Sequence, residues 1–83
     1  MSYVYILKSA ANKYYIGATN NVENRLKQHN LGKVKSTKSG RPWHLIHIEK
    51  YNTISESRKR EVQIKGWKSR KAIERLLAAS SSG

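Results

Sequence analysis

Two short tyrosine-bearing runs near the N-terminus constrain the fold of this chain more than any other feature. Residues 3–7 are Tyr-Val-Tyr-Ile-Leu and residues 14–17 are Tyr-Tyr-Ile-Gly. β-Branched and aromatic side chains of this kind favour the half-buried surface of a sheet. The polar residues 9–13 between the two runs have the usual length of a hairpin connection. We therefore predict that the chain begins with a β-hairpin.

The alternation of side chains along the two strands determines which tyrosines meet. Successive residues of a strand point to opposite faces, so Tyr15 and Gly17 share one face of the second strand. If odd positions pair with odd positions, Tyr5 joins them. The missing side chain of Gly17 then leaves room between two phenols, or lets a ligand come close. Ordinary cross-strand packing of aromatic residues is the alternative, and strand composition alone favours it.

The charge of the chain indicates the class of its partner. The 83 residues include 17 Lys and Arg against 5 Asp and Glu, which gives a formal net charge of +12. Such a balance favours a polyanion, and nucleic acid first. A basic surface without a dedicated ligand is the alternative. The chain has no cysteine and no apolar run near the roughly 18 residues of a membrane helix, so we expect one cytoplasmic domain that does not bind membranes.

The segment after the hairpin predicts a helix followed by a loop. Asn20 is the predicted N-cap, and Glu23 stands at the capping-box position. The helix is expected to end near residues 30–32, because Asn and Gly tolerate the left-handed conformation. Residues 32–42 contain two glycines, two serines, one proline and four basic side chains among them, and this composition predicts a mobile cationic loop.

The second half of the chain predicts one strand and two helices. Residues 43–51 have apolar side chains on both faces, which is typical of an interior or well-covered strand with helices on both sides of the sheet. Thr53 is the predicted N-cap of a second helix that ends at Gly66. Ser69 caps a third helix with a narrow apolar edge. The predicted order is therefore strand, strand, helix, strand, helix, helix.

One carboxylate in the second helix occupies an unusual position. At about 100° per residue, Glu61 lies within about 20° of Ile54, and Val62 and Ile64 flank it on either side. Glutamate is seldom buried without a partner. The sequence leaves open whether that partner is a cation, a metal ion or a hydrogen-bond donor, and a structural salt bridge to an arginine is one explanation.

The remaining polar residues suit phosphodiester chemistry. Arg25 and His29 are four residues apart on the first helix and lie on one of its faces. A divalent metal on one carboxylate polarises a phosphate oxygen, an arginine stabilises the developing charge, and a phenol or imidazole transfers a proton. The chain contains neither a Walker-type phosphate loop, nor a glycine-rich dinucleotide motif, nor a Cys/His metal cluster.

Five features in this order resemble the motifs of the GIY-YIG nuclease superfamily: Tyr3-Val4-Tyr5, Tyr15-Ile16-Gly17, Arg25, His29 and Glu61. Residues 60–67, REVQIKGW, are similar to a stretch of its small stand-alone bacterial domain proteins. The resemblance spans nearly the whole chain. It implies an α/β fold of the α+β type, in which a three-stranded antiparallel sheet is flanked by about three helices. We expect a single domain over residues 1–79 and a disordered tail over residues 80–83.

The resemblance also implies roles for the matching residues. Tyr5 and Tyr15 help to position or deprotonate the attacking water, and Arg25 contacts the scissile phosphate. His29 matches a histidine that lies near the nucleophile in part of the family. Glu61 matches the single metal-binding carboxylate, which implies one divalent ion, Mg²⁺ or Mn²⁺.

Some positions depart from the family pattern. Gly17 closes the second motif as a structural residue, whereas the first motif lacks its glycine and keeps its phenol. The asparagine that many nuclease members carry after the metal glutamate has no counterpart, and a second histidine found in some homing enzymes is replaced by the cationic loop. Larger members add a separate DNA-binding domain. Here the basic surface of the domain itself is expected to bind nucleic acid through Lys33, Lys35, Lys38, Arg41 and Lys65.

The functional expectation is a metal-dependent endonuclease that hydrolyses DNA, including branched or damaged DNA of the kind that arises in DNA repair. A non-catalytic nucleic-acid-binding module with the same fold is the alternative, because the asparagine and the targeting domain are missing. A third hypothesis is a small basic protein that associates with RNA or the ribosome. We expect DNA rather than RNA as the partner, and a monomer or weak dimer.

Overall fold

The computed structural model describes residues 1–81, and its strands and α-helices follow the predicted order β-β-α-β-α-α. They are β1 (Ser2–Ser9), β2 (Tyr14–Thr19), α1 (Val22–Asn30), β3 (Trp43–Tyr51), α2 (Ile54–Gly66) and α3 (Arg70–Ser81). The three strands form one antiparallel sheet in the order β2-β1-β3, which confirms the predicted fold class. α3 enters the segment 80–83 that was predicted as a tail, and residues 82 and 83 lie outside the described residues.

The central strand β1 is buried on both faces and separates two hydrophobic cores. Val4 and Ile6 point to the face that α2 and α3 cover, where they pack with Ile64 and Ile73. The odd-numbered residues point to the opposite face. There Tyr5 and Leu7 pack with Trp43, and the apolar edge of α1 covers this second cluster through Val22 and Leu26. Helices therefore cover both faces of the sheet, as predicted, because each face of β1 needs its own apolar cover.

The hairpin has the register in which odd positions pair with odd positions. Tyr5 is opposite Gly17 and Leu7 is opposite Tyr15, so both phenols lie on the same face of the sheet. A Cβ atom on Gly17 would lie 2.6 Å from Cζ of Tyr5, which is closer than non-bonded atoms approach. Gly17 is required because the ring of Tyr5 occupies the space of a side chain.

The prediction that β3 is an interior strand is wrong. β3 pairs with β1 alone and lies at the edge of the sheet. Its register shifts between Ile6 and Leu7 of β1, and Ile46 is the extra residue. Leu45, Ile46 and Ile48 are exposed. Apolar residues on both faces of a segment indicate two covered faces only when the strand has neighbours on both sides, and β1 holds that position here.

The three predicted caps agree with the structure to different degrees. Ser69 Oγ accepts a hydrogen bond from the backbone N–H of Ala72 at 3.4 Å at the start of α3, as predicted. Thr53 caps α2, and its Oγ1 accepts a hydrogen bond from the backbone N–H of Glu56 at 3.2 Å. α1 begins one residue later than predicted, because Asn21 Oδ1 accepts from the N–H of Asn24 at 3.1 Å. Asn21 rather than Asn20 is the N-cap, which removes Glu23 from the capping-box position. Among residues 1–81, no helix is long and apolar enough to cross a membrane.

The segment between α1 and β3 is not the mobile loop predicted from its composition. Residues 35–40 form a 3₁₀ helix that side chains hold in place. The indole N–H of Trp43 donates to the carbonyl of Thr37 at 2.8 Å. The amide of Asn30 bonds both backbone groups of Trp43, at 2.6 and 3.0 Å. These contacts join residues that are distant in sequence, so glycine and serine content could not reveal them.

Candidate active site

A cleft of about 370 Å³ lies where β1, β2, α1 and α2 meet. Four of the five predicted catalytic residues line it, and each comes from a different element. The residues that form its wall are Tyr5, Tyr15, Gly17, Ala18, Arg25, Arg58, Glu61 and Val62. Tyr5 and Tyr15 lie side by side, with ring centroids 6.3 Å apart. The structure therefore brings Tyr5, Tyr15, Arg25 and Glu61 together, as a shared site requires.

Glu61 reaches the cleft from the buried stripe of α2. Ser57 and Ile64 are the buried residues of this helix, and Glu61 lies between them at helical spacing. Ile54 and Val62 are exposed, so the apolar stripe that the sequence predicted through them is wrong. The helix packs against the sheet with a narrower face, and Glu61 is still on it.

His29 is fully buried and stands behind Tyr5 rather than in the wall of the cleft. Its Nε2 lies 3.0 Å from the Tyr5 hydroxyl, and its Nδ1 lies 2.6 Å from Oγ1 of Thr37. The Thr37 hydroxyl donates to the carbonyl of Val34 at 3.3 Å, so it accepts from Nδ1. This network assigns the proton to Nδ1 and makes Nε2 the acceptor for the Tyr5 hydroxyl.

Burial keeps both members of this pair neutral. Desolvation raises the pKa of Tyr5 to about 12, although the nearby Arg25 guanidinium opposes the increase. Burial also lowers the pKa of His29, and the positive charge of Arg25 lowers it further. At neutral pH the site therefore contains a phenol that donates to a neutral imidazole. The phenol oxygen can accept a proton from the cleft while its own proton passes to His29.

The partner of Glu61 is a lysine, not an arginine. Lys65 lies one turn further along α2, and its Nζ is 2.6 Å from Oε2 of Glu61. Mg²⁺ keeps several waters and binds through one or two carboxylates together with substrate phosphates, so one carboxylate in a polar cleft fits such an ion. Within the described residues, no group of three or more His, Cys, Asp or Glu side chains is placed to hold a metal.

The cations predicted to bind nucleic acid separate into two groups. Lys65 adjoins the cleft, and its ammonium lies 5.8 Å from the ring centroid of Tyr15. Lys33, Lys35, Lys38 and Arg41 do not line the cleft. Arg41 belongs to the packing of the 3₁₀ segment, since its Nε donates to the carbonyl of Lys38 at 2.8 Å.

Sequence reasoning missed two residues of the site. Arg58 lines the cleft and adds a second guanidinium to that of Arg25. Its position three residues before Glu61 on the same helix is a signal that would have identified it. Thr37 was treated as part of a loop, and nothing in its local sequence indicates that it orients His29.

Comparisons with known proteins agree with this geometry. The family model for the GIY-YIG catalytic domain matches residues 1–74. A UPF0213 protein of Syntrophus aciditrophicus is 48% identical over 66 residues, which cover 77% of this chain and 76% of that protein. A UPF0213 protein of Staphylococcus haemolyticus is 47% identical over 64 residues, covering 76% and 78%. The solution NMR structure of a UPF0213 protein from Bacillus halodurans superposes with a TM-score of 0.62 at 32% identity, covering 95% of this chain and 85% of that one.

Proposed function

Because this chain belongs to the GIY-YIG family, we propose that it hydrolyses phosphodiester bonds in DNA with the help of one divalent metal ion. The observation that carries the proposal is the convergence of Tyr5, Tyr15, Arg25 and Glu61 on one cleft. These residues come from four elements, and packing alone gives no reason for two phenols, a guanidinium and a carboxylate to share a polar cavity.

Glu61 is the residue that would hold the ion, Mg²⁺ or Mn²⁺. When bound, such an ion neutralises charge on a phosphate oxygen. Lys65 must then give up its bond to Glu61. Its side chain is 47% exposed, and exposed ion pairs contribute only about 0.2–1 kcal/mol. Replacing Lys65 by the metal ion therefore costs little free energy. The released ammonium remains beside Tyr15, where it can contact the phosphate backbone.

The other residues of the cleft bind the phosphate and move the proton. Arg25 and Arg58 contact non-bridging oxygens and stabilise the charge that develops on them. The attacking water gives its proton to the Tyr5 oxygen while the Tyr5 proton passes to Nε2 of His29. The water oxygen forms a bond to phosphorus as the bond to the leaving oxygen breaks, and that oxygen departs as an alkoxide that takes a proton from solvent water. Thr37 keeps the His29 ring oriented by accepting from Nδ1.

The substrate class follows from the charge and the family. A net charge of +12 on 83 residues favours a nucleic acid, and we assign DNA, with branched or damaged DNA as the natural targets and DNA repair as the setting. The protein acts as a monomer or weak dimer in the cytoplasm. A non-catalytic nucleic-acid-binding module is the second candidate, and the bond between Glu61 and Lys65 favours it, because that lysine occupies a carboxylate oxygen a metal would use.

A cleavage assay separates the two candidates. The purified protein is incubated with flapped, branched, single-stranded and duplex DNA in Mg²⁺, in Mn²⁺ and in a chelator. We expect metal-dependent nicking that Glu61→Gln and Arg25→Ala abolish. Glu23→Gln, which makes the same charge change as Glu61→Gln at an exposed position of α1, is the matched control. Equal cutting by Glu61→Gln, or no cutting of any substrate by the wild type, would leave the binding module as the function.

A further inference from the structure

A second groove, of about 360 Å³, runs from the candidate active site toward the start of α3. Tyr15 lines both the cleft and the groove. Lys65 lines the groove and bonds Glu61 in the cleft. The two cavities therefore share one boundary, formed by Tyr15 and Lys65. A ligand that reaches both Glu61 and the groove must pass over these two side chains.

The walls of this groove combine apolar and cationic groups. Its floor is formed by the aromatic ring of Tyr14 and by isoleucines of the adjoining core, including Ile64 and Ile73. Its rim carries three cations, Lys65, Lys68 and Arg70. An aromatic and apolar floor beneath a cationic rim is the arrangement that binds single-stranded nucleic acid, because bases contact the floor while phosphates contact the rim.

The rim cation Arg70 is held in place before any ligand binds. Its guanidinium carbon lies 4.9 Å from the ring centroid of Tyr14, and its Nε lies 3.4 Å from a carboxylate oxygen of Glu74. Lys68 has a φ of +48°, which is uncommon for a residue with a side chain. This conformation turns the chain between α2 and α3, so that Lys68 and Arg70 border the same groove.

The 3₁₀ segment offers a matched comparison. Lys35 and Lys38, which the sequence alone predicted to bind nucleic acid, are exposed like the rim cations, yet they line neither the cleft nor the groove. The comparison therefore also tests that prediction. A purely diffuse electrostatic attraction would use both pairs of cations equally. If the nucleic-acid strand follows a defined path through the groove, only Lys68 and Arg70 contribute to its binding.

We infer that this groove binds the single strand that flanks the scissile phosphate, with Lys68 and Arg70 on its phosphates and Tyr14 on a base or sugar. The inference rests on the proposed function for the position of the scissile phosphate. A cavity of this volume accommodates a small organic group such as one nucleotide, not a double helix. The groove therefore selects substrates with a single-stranded segment beside the cleavage point, such as flaps and branches.

The test is an equilibrium measurement in a chelator, so that cleavage does not enter. Fluorescence anisotropy follows binding of a labelled single-stranded oligonucleotide to the wild type, to Lys68→Ala/Arg70→Ala and to Lys35→Ala/Lys38→Ala. Both double variants remove two positive charges. We expect roughly tenfold weaker binding and a shallower salt dependence for the groove variant, and less than a roughly threefold change for the control.

A third variant separates the contribution of the aromatic ring from that of the cations. Tyr14→Leu keeps every cation but removes the ring that positions Arg70, and we expect roughly threefold to tenfold weaker binding. Thermal unfolding of each variant verifies that it is folded at the assay temperature. Equal weakening by the two double variants would overturn the inference. So would an acidic peptide that competes with the oligonucleotide as well as unlabelled DNA does.

Failure of this inference and failure of the proposed function are distinguishable. If the groove variant binds like the control while the wild type still cuts DNA, the inference about the groove is wrong and the proposed active site is retained. If the groove variant loses binding while Glu61→Gln cuts as well as the wild type, the groove stands and the proposed chemistry is wrong.

Discussion

Two glutamates of this protein are almost equally buried and yet differ in what surrounds them. The side chain of Glu49 is 18% exposed and that of Glu61 is 20% exposed. Glu49 lies on β3 opposite Val4, on the face of the sheet away from Tyr5. Glu61 lies in the cleft. The partial burial of a carboxylate therefore does not indicate by itself whether it is structural or functional.

Glu49 and Glu61 differ in the number of side chains that donate hydrogen bonds to their carboxylates. Glu49 accepts from Arg60 at 2.9 Å, from the hydroxyl of Tyr51 at 2.6 Å and from Nε2 of His47 at 2.8 Å. Burial alone would raise its pKa, but these hydrogen bonds outweigh burial and hold the pKa at about 2. Glu61 has Lys65 as its hydrogen-bonding partner within the described residues. A carboxylate that accepts hydrogen bonds from three side chains is anchored by them, whereas one held by a single flexible cation can exchange that partner for a metal ion.

The environment of Arg60 extends this contrast. Its guanidinium carbon lies 5.4 Å from the ring centroid of Trp67, and its Nη1 donates to Gln63 at 3.1 Å. The cluster around Glu49 thus connects β3 to α2 and to the residue after α2. Among the described residues, Lys65 contacts Glu61 and the ring of Tyr15 and belongs to no such cluster.

The largest effect is expected from Glu61→Gln. The substitution removes the charge that holds a divalent ion but keeps the size of the side chain. Cleavage falls by at least roughly 100-fold, as for the loss of one charge-stabilising group in other active sites. The free energy of unfolding changes by less than about 1 kcal/mol, because only a partly exposed ion pair is lost. Nicking rates and urea unfolding measure the two quantities, and a large loss of stability would make Glu61 a structural residue like Glu49.

The next effect is the acid dependence of stability, which Glu49 controls. Its pKa falls from 4.5, the ordinary value, to about 2 in the folded protein. The ionised Glu49 therefore contributes fully to the free energy of unfolding above about pH 4.5, and this contribution is lost as the pH falls toward 2. The whole contribution is on the order of 3 kcal/mol. Urea unfolding at several pH values tests this. In Glu49→Gln, the free energy of unfolding should depend much less on pH in this range. An unchanged pH dependence would mean that other carboxylates cause it.

At neutral pH, Glu49→Gln is expected to lower the free energy of unfolding by about 2 kcal/mol. The partly buried guanidinium of Arg60 loses its charged partner, and breaking such a pair costs more than breaking a surface pair. Cleavage per folded molecule stays near the wild-type value, which is the reverse of the result for Glu61→Gln. Glu23→Gln is the exposed control for stability, with an expected change below about 0.5 kcal/mol.

The smallest effect is expected from Lys65→Met. The methylenes of the side chain are kept and only the ammonium is lost, so stability changes by less than about 0.5 kcal/mol. Metal binding becomes tighter because Glu61 no longer has a competing cation. Isothermal titration with Mn²⁺ measures this change in the absence of DNA. Weaker metal binding would mean that Lys65 orients Glu61 for the ion rather than competing with it.

The features that were predictable from sequence depend on residues close together in the chain. The cap of α2 at Thr53 and the end of α1 near Gly32, which has a φ of +77°, each depend on a few neighbouring residues. Even here the N-cap of α1 shifts from Asn20 to Asn21, because adjacent asparagines have nearly the same capping ability. The short connection predicted the hairpin, whereas the pairing of odd positions with odd positions is one of two registers that the sequence left open and the structure shows.

The sequence by itself determined the order of the elements, the face shared by Tyr15 and Gly17, and the family, because periodicity, caps and spaced motifs are local or linear properties of the chain. Only the structure decided that odd positions of the hairpin pair with odd positions, which adds Tyr5 to that face. Only the tertiary structure decided that β3 is an edge strand and that Thr37 orients His29. It also distinguished the three donors of Glu49 from the single lysine of Glu61. The edge position of β3 and the contacts of Thr37 with His29 and of Arg60 with Glu49 join different elements, and local pattern carries no record of which elements pack together. The bonds within one element, such as that of Lys65 with Glu61, have a local spacing, and only the structure shows that they form.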